Sequence, residues 1–270
     1  MNQALQIGPL SLPISVLLAL VAIALGGFVA NRMARAADID IEPTLTYMLL
    51  VGMGASRLAF VLQWREQYFD QPLSILNIRD GGWEPLAGVV AALLFGLYRA
   101  RRQTAMRKPV FAAALTTGAV LLLGGIATFM MSPTAASLPP LALSSLDGRP
   151  VRLADFAGKP TVVNLWATWC PPCRREMPAL QQAQAAHPDV HFVFVNQGEE
   201  AGAIAAYLEK EELALANVLV DLQSSVGATL GQGGLPTTLF FDASGRLASI
   251  RVGELSQATL NQRLAHLSGN

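Results

Sequence analysis

The sequence predicts an α-helical membrane domain of four spans, followed by an α/β domain in which helices flank a central mixed sheet. Three observations carry that prediction. Apolar residues make up 52% of the 270-residue chain and charged residues only 14%. A soluble globular chain is about a quarter charged, so part of this one lies in lipid. The apolar residues crowd into residues 1–131 as four runs, and strand-like and helix-like segments alternate beyond residue 140.

The four runs are Leu12–Ala30, Thr44–Gln63, Glu84–Tyr98 and Val110–Met131. A bilayer crossing takes about 20 mainly apolar residues. Three runs meet that length; the third is short, holds Gly88 and Gly96, and is marginal. Four such runs in succession with few charges do not read as buried helices of a soluble protein. The connecting loops set the orientation. The first carries Arg32 and Arg35, and the third carries Arg99, Arg101, Arg102, Arg107 and Lys108. In the second, Arg65 and Arg79 are balanced by Glu66, Asp70 and Asp80. Positive loops stay in the cytoplasm, so both termini and everything after Met131 are expected outside it. That location is a bacterial periplasm, with the spans in the inner membrane. The first ten residues hold no Lys or Arg, so no cleavable signal peptide is expected there. Arg57 falls inside the second run, where a charge is costly and seeks a partner or snorkels. Glu84, at the outer end of the third run, is its expected partner.

Residues 132–140 (SPTAASLPP) form a polar, proline-bearing linker, which leaves 1–131 as the membrane domain and 141–270 as the α/β domain. In the latter, Val162–Ala167 reads as a buried strand and Pro171–His187 as a helix. His191–Asn196 is a second strand, Glu200–Glu211 a helix and Val218–Asp221 a short strand. Thr237–Asp242 and Leu247–Val252 pair around Ala243-Ser244-Gly245, and Gln257–Leu267 is a closing helix. Net charge is zero with no long basic or acidic run, so nucleic acid is not an expected partner.

The chain has two cysteines, in one Cys170-Pro171-Pro172-Cys173. The pair is catalytic, metal-binding or incidental. It follows the apolar strand and opens the next helix, where unpaired N–H groups and the macrodipole favour negative charge. A thiol exposed there has a lowered pKa and is more often the reactive thiolate. Two intervening residues let the second sulfur close a disulfide. Pro171 suits the first helical turn, which needs no N–H from it. Cys170 is thus the expected nucleophile and Cys173 the resolving thiol. With His187 and His191 the cysteines also satisfy a zinc-finger spacing, C-x2-C-x13-H-x3-H. Cys173 and His187, however, would lie roughly 20 Å apart along one helix, too far to share a metal. No metal site is expected.

Val162–Pro178 (VVNLWATWCPPCRREMP) resembles the signature of the TlpA-like thioredoxin family of periplasmic thiol–disulfide oxidoreductases. Leu153–Pro160 (LADFAGKP) and Gly234–Thr238 (GLPTT) are also similar, so the resemblance spans about residues 138–268. It implies a thioredoxin-like fold and a disulfide reductase whose substrates are proteins, with the Cys170–Cys173 disulfide in place of a cofactor. It also implies that Pro236 is a cis-proline facing the dithiol, with Leu235 and Trp169 beside the substrate. Many thioredoxins carry a buried aspartate six residues before the first cysteine as proton acceptor. Here that residue is Asn164, so either water or another acid such as Glu176 accepts the proton, or the reaction is tuned differently; Glu176 is equally readable as a solvated helix residue.

The membrane half shows a fainter likeness. Gly8-Pro9-Leu10-Ser11, Ser56–Leu62 (SRLAFVL), Gln71-Pro72-Leu73 and Asp80-Gly81-Gly82 are similar, in order, to the N-terminal part of prolipoprotein diacylglyceryl transferase. That family places a His-Gly-Gly shortly after its Asp-Gly-Gly; here the stretch is Trp83–Gly88 (WEPLAG), and no histidine precedes His187. Lipoprotein transfer is the weaker alternative, as is a dithiol that oxidises or isomerises. Residues 1–169 hold no cysteine, so a separate membrane thiol-relay protein is the expected source of electrons.

Overall fold

A computed structural model describes residues 4–7, 10–68, 75–78, 80–130 and 137–268. Residues 132–136 of the linker, Met131, Gly8-Pro9 and Gln71-Pro72-Leu73 lie outside the described residues. The chain divides into two compact units, one of long helices and one built on a sheet.

Ahead of the helices, β1 (Ala4–Ile7) and β2 (Leu10–Pro13) pair antiparallel, where the hydropathy reading began a span at Leu12. Four helices follow: α1 (Ile14–Arg35), α2 (Glu42–Gln63), α3 (Pro85–Arg102) and α4 (Arg107–Met130). Pro43 and Pro85 sit in first turns, where a missing N–H is harmless. Among the described residues, three stretches are long and apolar enough to cross a membrane: Ile14–Arg35, Glu42–Gln63 and Thr104–Thr128. The expected third span does form a helix, but its 18 residues end in Arg99, Arg101 and Arg102, so it falls short of that standard.

Small residues let α2 and α3 pack closely. A Cβ on Gly88 would stand 2.8 Å from the Gly52 carbonyl oxygen, so only glycine permits the approach. Between α1 and α4, Thr117 donates to the Ala22 carbonyl at 3.2 Å. Ala34, Ile41, Met106 and Val110 share one buried cluster, and Arg99 reaches Thr44 at 3.4 Å. The basic ends of α1 and α3 therefore gather with the starts of α2 and α4.

Among the described residues, Arg57 meets backbone carbonyls. Its Nε and Nη2 donate to the Ile75 carbonyl at 3.1 and 3.0 Å, and Nη1 to that of Gly82 at 2.7 Å. The rings of Phe60, Tyr68 and Trp83 surround it at 6.0, 5.7 and 6.0 Å. Glu84 precedes the first turn of α3 and donates its N–H to the Ser56 carbonyl, 3.1 Å away. It makes no ion pair with Arg57. The expected Arg57–Glu84 pair is thus corrected: carbonyls delivered by the loop satisfy the guanidinium first.

The second unit is a seven-stranded mixed sheet in the order β4-β3-β7-β6-β5-β8-β9. Its strands are β3 (Ala142–Ser145), β4 (Pro150–Arg152), β5 (Thr161–Trp166), β6 (His191–Gln197), β7 (Val218–Asp221), β8 (Thr237–Phe241) and β9 (Leu247–Val252). β5, β6 and β7 run parallel; the other pairings are antiparallel. The helices are α5 (Pro171–Ala186), α6 (Ala201–Lys210), α7 (Ser225–Thr229) and α8 (Gln257–Ser268).

Strand period explains the two cores. Val162 and Trp166 of β5, with Phe192 and Phe194 of β6, face a core closed by Met177, Leu180, Ile204, Leu260 and Leu264. The alternate residues Val163, Leu165, Val193 and Val195 face a second core with Leu153, Leu219 and Val226. Each fully buried side chain of this size contributes about 1.5–3 kcal/mol, and β5 is buried on both faces. Both cores thus anchor the strand whose carboxyl end carries the cysteines.

Candidate active site

β5 ends at Trp166, and the chain turns through Ala167–Cys170 into α5. Glu199, in the loop after β6, holds that turn. It accepts from the Thr168 N–H at 2.7 Å and from the Thr168 hydroxyl, while Asn196 Nδ2 donates to the same carboxylate at 2.8 Å. Cys170 is the residue before the first turn of α5, which begins Pro171-Pro172. The Cys173 N–H points at Cys170 Sγ from 3.3 Å, a helix-start donor aimed at the sulfur. Cys170 and Cys173 are joined as a disulfide, their Cα atoms 5.3 Å apart. Both are buried, Cys170 at 3% and Cys173 at 0% exposure, which corrects the expectation of an exposed Cys170. The exposed side chain here is Trp169, at 68%.

Register brings the second sequence motif to the same place. Leu165 pairs with Thr237 across β5 and β8, so Pro236 lies one position beyond, level with Trp166 at the start of the cysteine turn. The Leu235–Pro236 peptide is cis. The Gly253 N–H donates to the Pro236 carbonyl at 2.8 Å, and Thr237 Oγ1 to that of Gly234 at 2.6 Å.

Beneath the dithiol lies a buried acid. Glu176 is one turn beyond Cys173 on the same face of α5 and is 1% exposed, so the solvated reading of this residue is corrected. Its Oε1 accepts from Asn164 Nδ2 at 2.8 Å, and its Oε2 from the Leu255 N–H at 2.9 Å. Asn164 Nδ2 also reaches Thr238 Oγ1 at 3.0 Å, while Asn164 Oδ1 has no hydrogen-bond partner. Burial pushes the Glu176 carboxyl up to about 8; the bonds from Asn164 and Leu255 only partly offset it. The neutral acid is therefore well populated near neutrality.

Trp169, Cys170, Cys173, Asn164, Glu176 and Pro236 thus converge around the carboxyl end of β5; Arg57 and Glu84 belong to the helical unit. Sequence reasoning did not find Glu199, a loop carboxylate, Leu255, which acts through its backbone N–H, or Thr238 of β8, whose hydroxyl accepts from Asn164. His187 ends α5, and His191 Nδ1 lies 2.8 Å from the Phe156 carbonyl oxygen. No group of three or more His, Cys, Asp or Glu suited to a metal occurs among the described residues.

Comparison with known proteins divides at the same point in the chain. The Redoxin family model matches residues 133–264, and that of prolipoprotein diacylglyceryl transferase matches residues 2–134. The thiol-disulfide oxidoreductase ResA of Geobacillus thermodenitrificans is 33% identical over 144 residues, 51% of this chain and 82% of its own length. The thioredoxin-like protein YneN of Bacillus subtilis is 31% identical over 132 residues, 47% of this chain and 75% of its own. Among solved structures, a secreted Mycobacterium tuberculosis disulfide oxidoreductase is 30% identical, with a TM-score of 0.44, covering 47% of this chain and 96% of its own.

Proposed function

The chain belongs to the thioredoxin-like thiol–disulfide oxidoreductases, and from that premise we propose that it is a membrane-anchored reductant of extracytoplasmic protein disulfides. The observation that carries this reading is the Cys170–Cys173 pair at the start of α5, with exposed Trp169 beside it and buried Glu176 beneath. In the reduced protein, the Cys173 N–H and the helix dipole stabilise a Cys170 thiolate. That thiolate attacks one sulfur of a substrate disulfide, forming a mixed disulfide and releasing the first substrate thiolate, which takes a proton from water. Cys173 then gives up its proton, with Glu176 in its ionised form as acceptor. It attacks Cys170 Sγ, closes the Cys170–Cys173 disulfide and releases the second substrate thiolate. Two electrons pass from dithiol to substrate. Trp169, Leu235 and Pro236 form the face against which the substrate segment lies.

The helical unit is the anchor. All four helices cross the bilayer in this reading, α3 with its arginines at the cytoplasmic surface. The gathered basic residues of α1, α3 and α4 support a cytoplasmic location for that end, with residues 132–270 on the periplasmic side of a bacterial inner membrane. The likeness to prolipoprotein diacylglyceryl transferase concerns this unit, whose Trp83–Gly88 stretch carries no histidine for transfer chemistry. Electrons come from a separate membrane thiol-relay protein.

The direction is tested by equilibrating the full-length protein with thiol buffers and trapping its cysteines in cells. A potential below about −200 mV, with Cys170 and Cys173 found reduced, is expected. A potential near about −120 mV, with the pair found oxidised, overturns the reading in favour of an oxidase.

A further inference from the structure

Two consecutive residues of α5 make two parallel links to one turn. Glu176, facing inward, accepts the Leu255 N–H at 2.9 Å. Arg175, facing outward, grips Glu254 from Nε and Nη2 at 2.9 and 2.6 Å, both on Oε2. The turn that carries Glu254 and Leu255 leaves β9 at Gly253, whose φ of 94° is a left-handed conformation that favours glycine. The same Gly253 binds the Pro236 carbonyl. One short turn thus touches the redox helix, the buried acid and the segment carrying Pro236. The side chain of Glu254 is only 13% exposed, although that of Arg175 is 51% exposed.

We infer that Glu254 is a positioning residue for the dithiol's acid: paired with Arg175, it holds the Gly253–Leu255 turn against α5 and governs proton exchange at Glu176. The inference rests on the proposed role of Glu176 as proton acceptor. Glu254 and Arg251 act directly on that carboxyl, and the buried Asp80 acts on Arg251 in turn. Glu254 comes from the β9–α8 turn, and its negative charge disfavours ionised Glu176. Arg251 comes from β9, favours the ionised form and donates to the Glu254 carbonyl at 3.3 Å. Arg175 comes from α5 and neutralises Glu254. β5 and β8 contribute only the neutral Asn164 and Thr238, and Cys173 lies one turn before on α5. Arg263 of α8 bonds to Ser249, and its charge interacts with that of Arg251. The Arg175–Glu254 pair therefore does two things at once. It screens Glu176 from a second carboxylate, and it keeps the Leu255 donor in place.

These two effects give opposite signs to two substitutions. Arg175→Leu leaves Glu254 unscreened and loosens the turn, and both changes favour neutral Glu176. Glu254→Gln removes the nearby charge yet keeps an oxygen for Arg175, which favours ionised Glu176. The readout is the infrared carbonyl band of a protonated carboxyl in the oxidised full-length protein, assigned by its loss in Glu176→Gln. Its titration midpoint is expected to rise by about half a pH unit in Arg175→Leu and to fall by about as much in Glu254→Gln. Arg175→Lys, which keeps the charge, leaves it in place. Midpoints that stay put, or that move in the same direction in both variants, overturn the inference while leaving Glu176 as the acid. Absence of a Glu176 band at pH 6 overturns the reading of Glu176 itself.

Discussion

Asn164 Nδ2 donates a 2.8 Å hydrogen bond to Glu176 Oε1, between two side chains that are each only 1% exposed. A charged carboxylate shut away from water with one amide and one backbone N–H is poorly compensated, so the neutral acid gains. The amide suits either state. Nδ2 serves an ionised Glu176, and the unpartnered Oδ1 can accept from a neutral one after the amide turns over. An aspartate in place of Asn164 would set two carboxyls side by side, and such a pair resists double ionisation.

The first prediction is a pH dependence of stability. A carboxyl whose ordinary value is 4.5, raised to about 8 in the oxidised fold, binds its proton more tightly folded than unfolded. Its contribution is fully present below the unfolded value and disappears as pH climbs to the folded one. Urea unfolding of the oxidised protein should therefore show stability falling between about pH 5 and 8, by up to about 1.4 kcal/mol per pH unit. Glu176→Gln should flatten that slope. An equal slope in the variant would assign it to other groups.

The cysteines give the second prediction. Cys170 Sγ has the Cys173 N–H at 3.3 Å, whereas Cys173 is fully buried inside the helix start. At neutral pH, reduced Cys173→Ser protein should be alkylated about tenfold faster than reduced Cys170→Ser protein. The reverse order would exchange the two roles.

Glu199 carries the third. Removing its carboxylate leaves the Thr168 N–H and hydroxyl and the Asn196 amide without their shared acceptor. Glu199→Ala should lower stability by about 1–3 kcal/mol. It should also slow disulfide reduction, because the released turn carries both Trp169 and Cys170. Thermal unfolding and turnover of a test disulfide measure the two effects, and a variant equal to wild type in both would deny Glu199 the role.

Legibility followed local pattern. The strand at Val162–Trp166, the helix at Pro171 and the hairpin at Leu247–Val252 declare themselves by unbroken apolar runs, paired prolines and a turn glycine. β3 and β4 did not, because four and three residues around Gly148 are too short to show a period, and α7 has only five residues. The site divides in the same way. Cys170, Cys173 and Pro236 belong to contiguous motifs. The environment of Glu176 depends on Leu255, 79 positions away, and no helical periodicity reports which face of α5 a distant turn will cover. The Arg57 pairing was hard to read for a related reason: the backbone carbonyls of Ile75 and Gly82, which accept from it, leave no mark in a list of side chains.

Arg57 supports the fourth prediction. Its guanidinium satisfies the carbonyls of Ile75 and Gly82 while Glu84 stays apart. Arg57→Ala should destabilise the helical unit by about 1–3 kcal/mol, and Glu84→Ala should change it by less than about 0.5 kcal/mol. Detergent-titrated unfolding of the full-length protein compares them. Equal losses would restore the ion pair in place of the carbonyl contacts.

The last prediction concerns how electrons reach the dithiol. Residues 1–169 contain no cysteine, so no chain of thiol exchanges can run through α1–α4. The first histidine is His187, so these helices have no histidine pair to ligate haem across the bilayer either. In the proposed topology, reductant from the cytoplasm must therefore arrive on another protein and meet Cys170 from outside. A fragment of residues 134–270 should then reduce a test disulfide at the full-length rate when a chemical dithiol regenerates it. In cells, the full-length protein should lose its reduced cysteines when the relay protein is deleted. Reconstituted alone into lipid vesicles loaded with a thiol reductant, it should leave an external disulfide intact. Reduction of that disulfide across an unbroken bilayer would mean that α1–α4 conduct electrons themselves, and the anchor reading would fall.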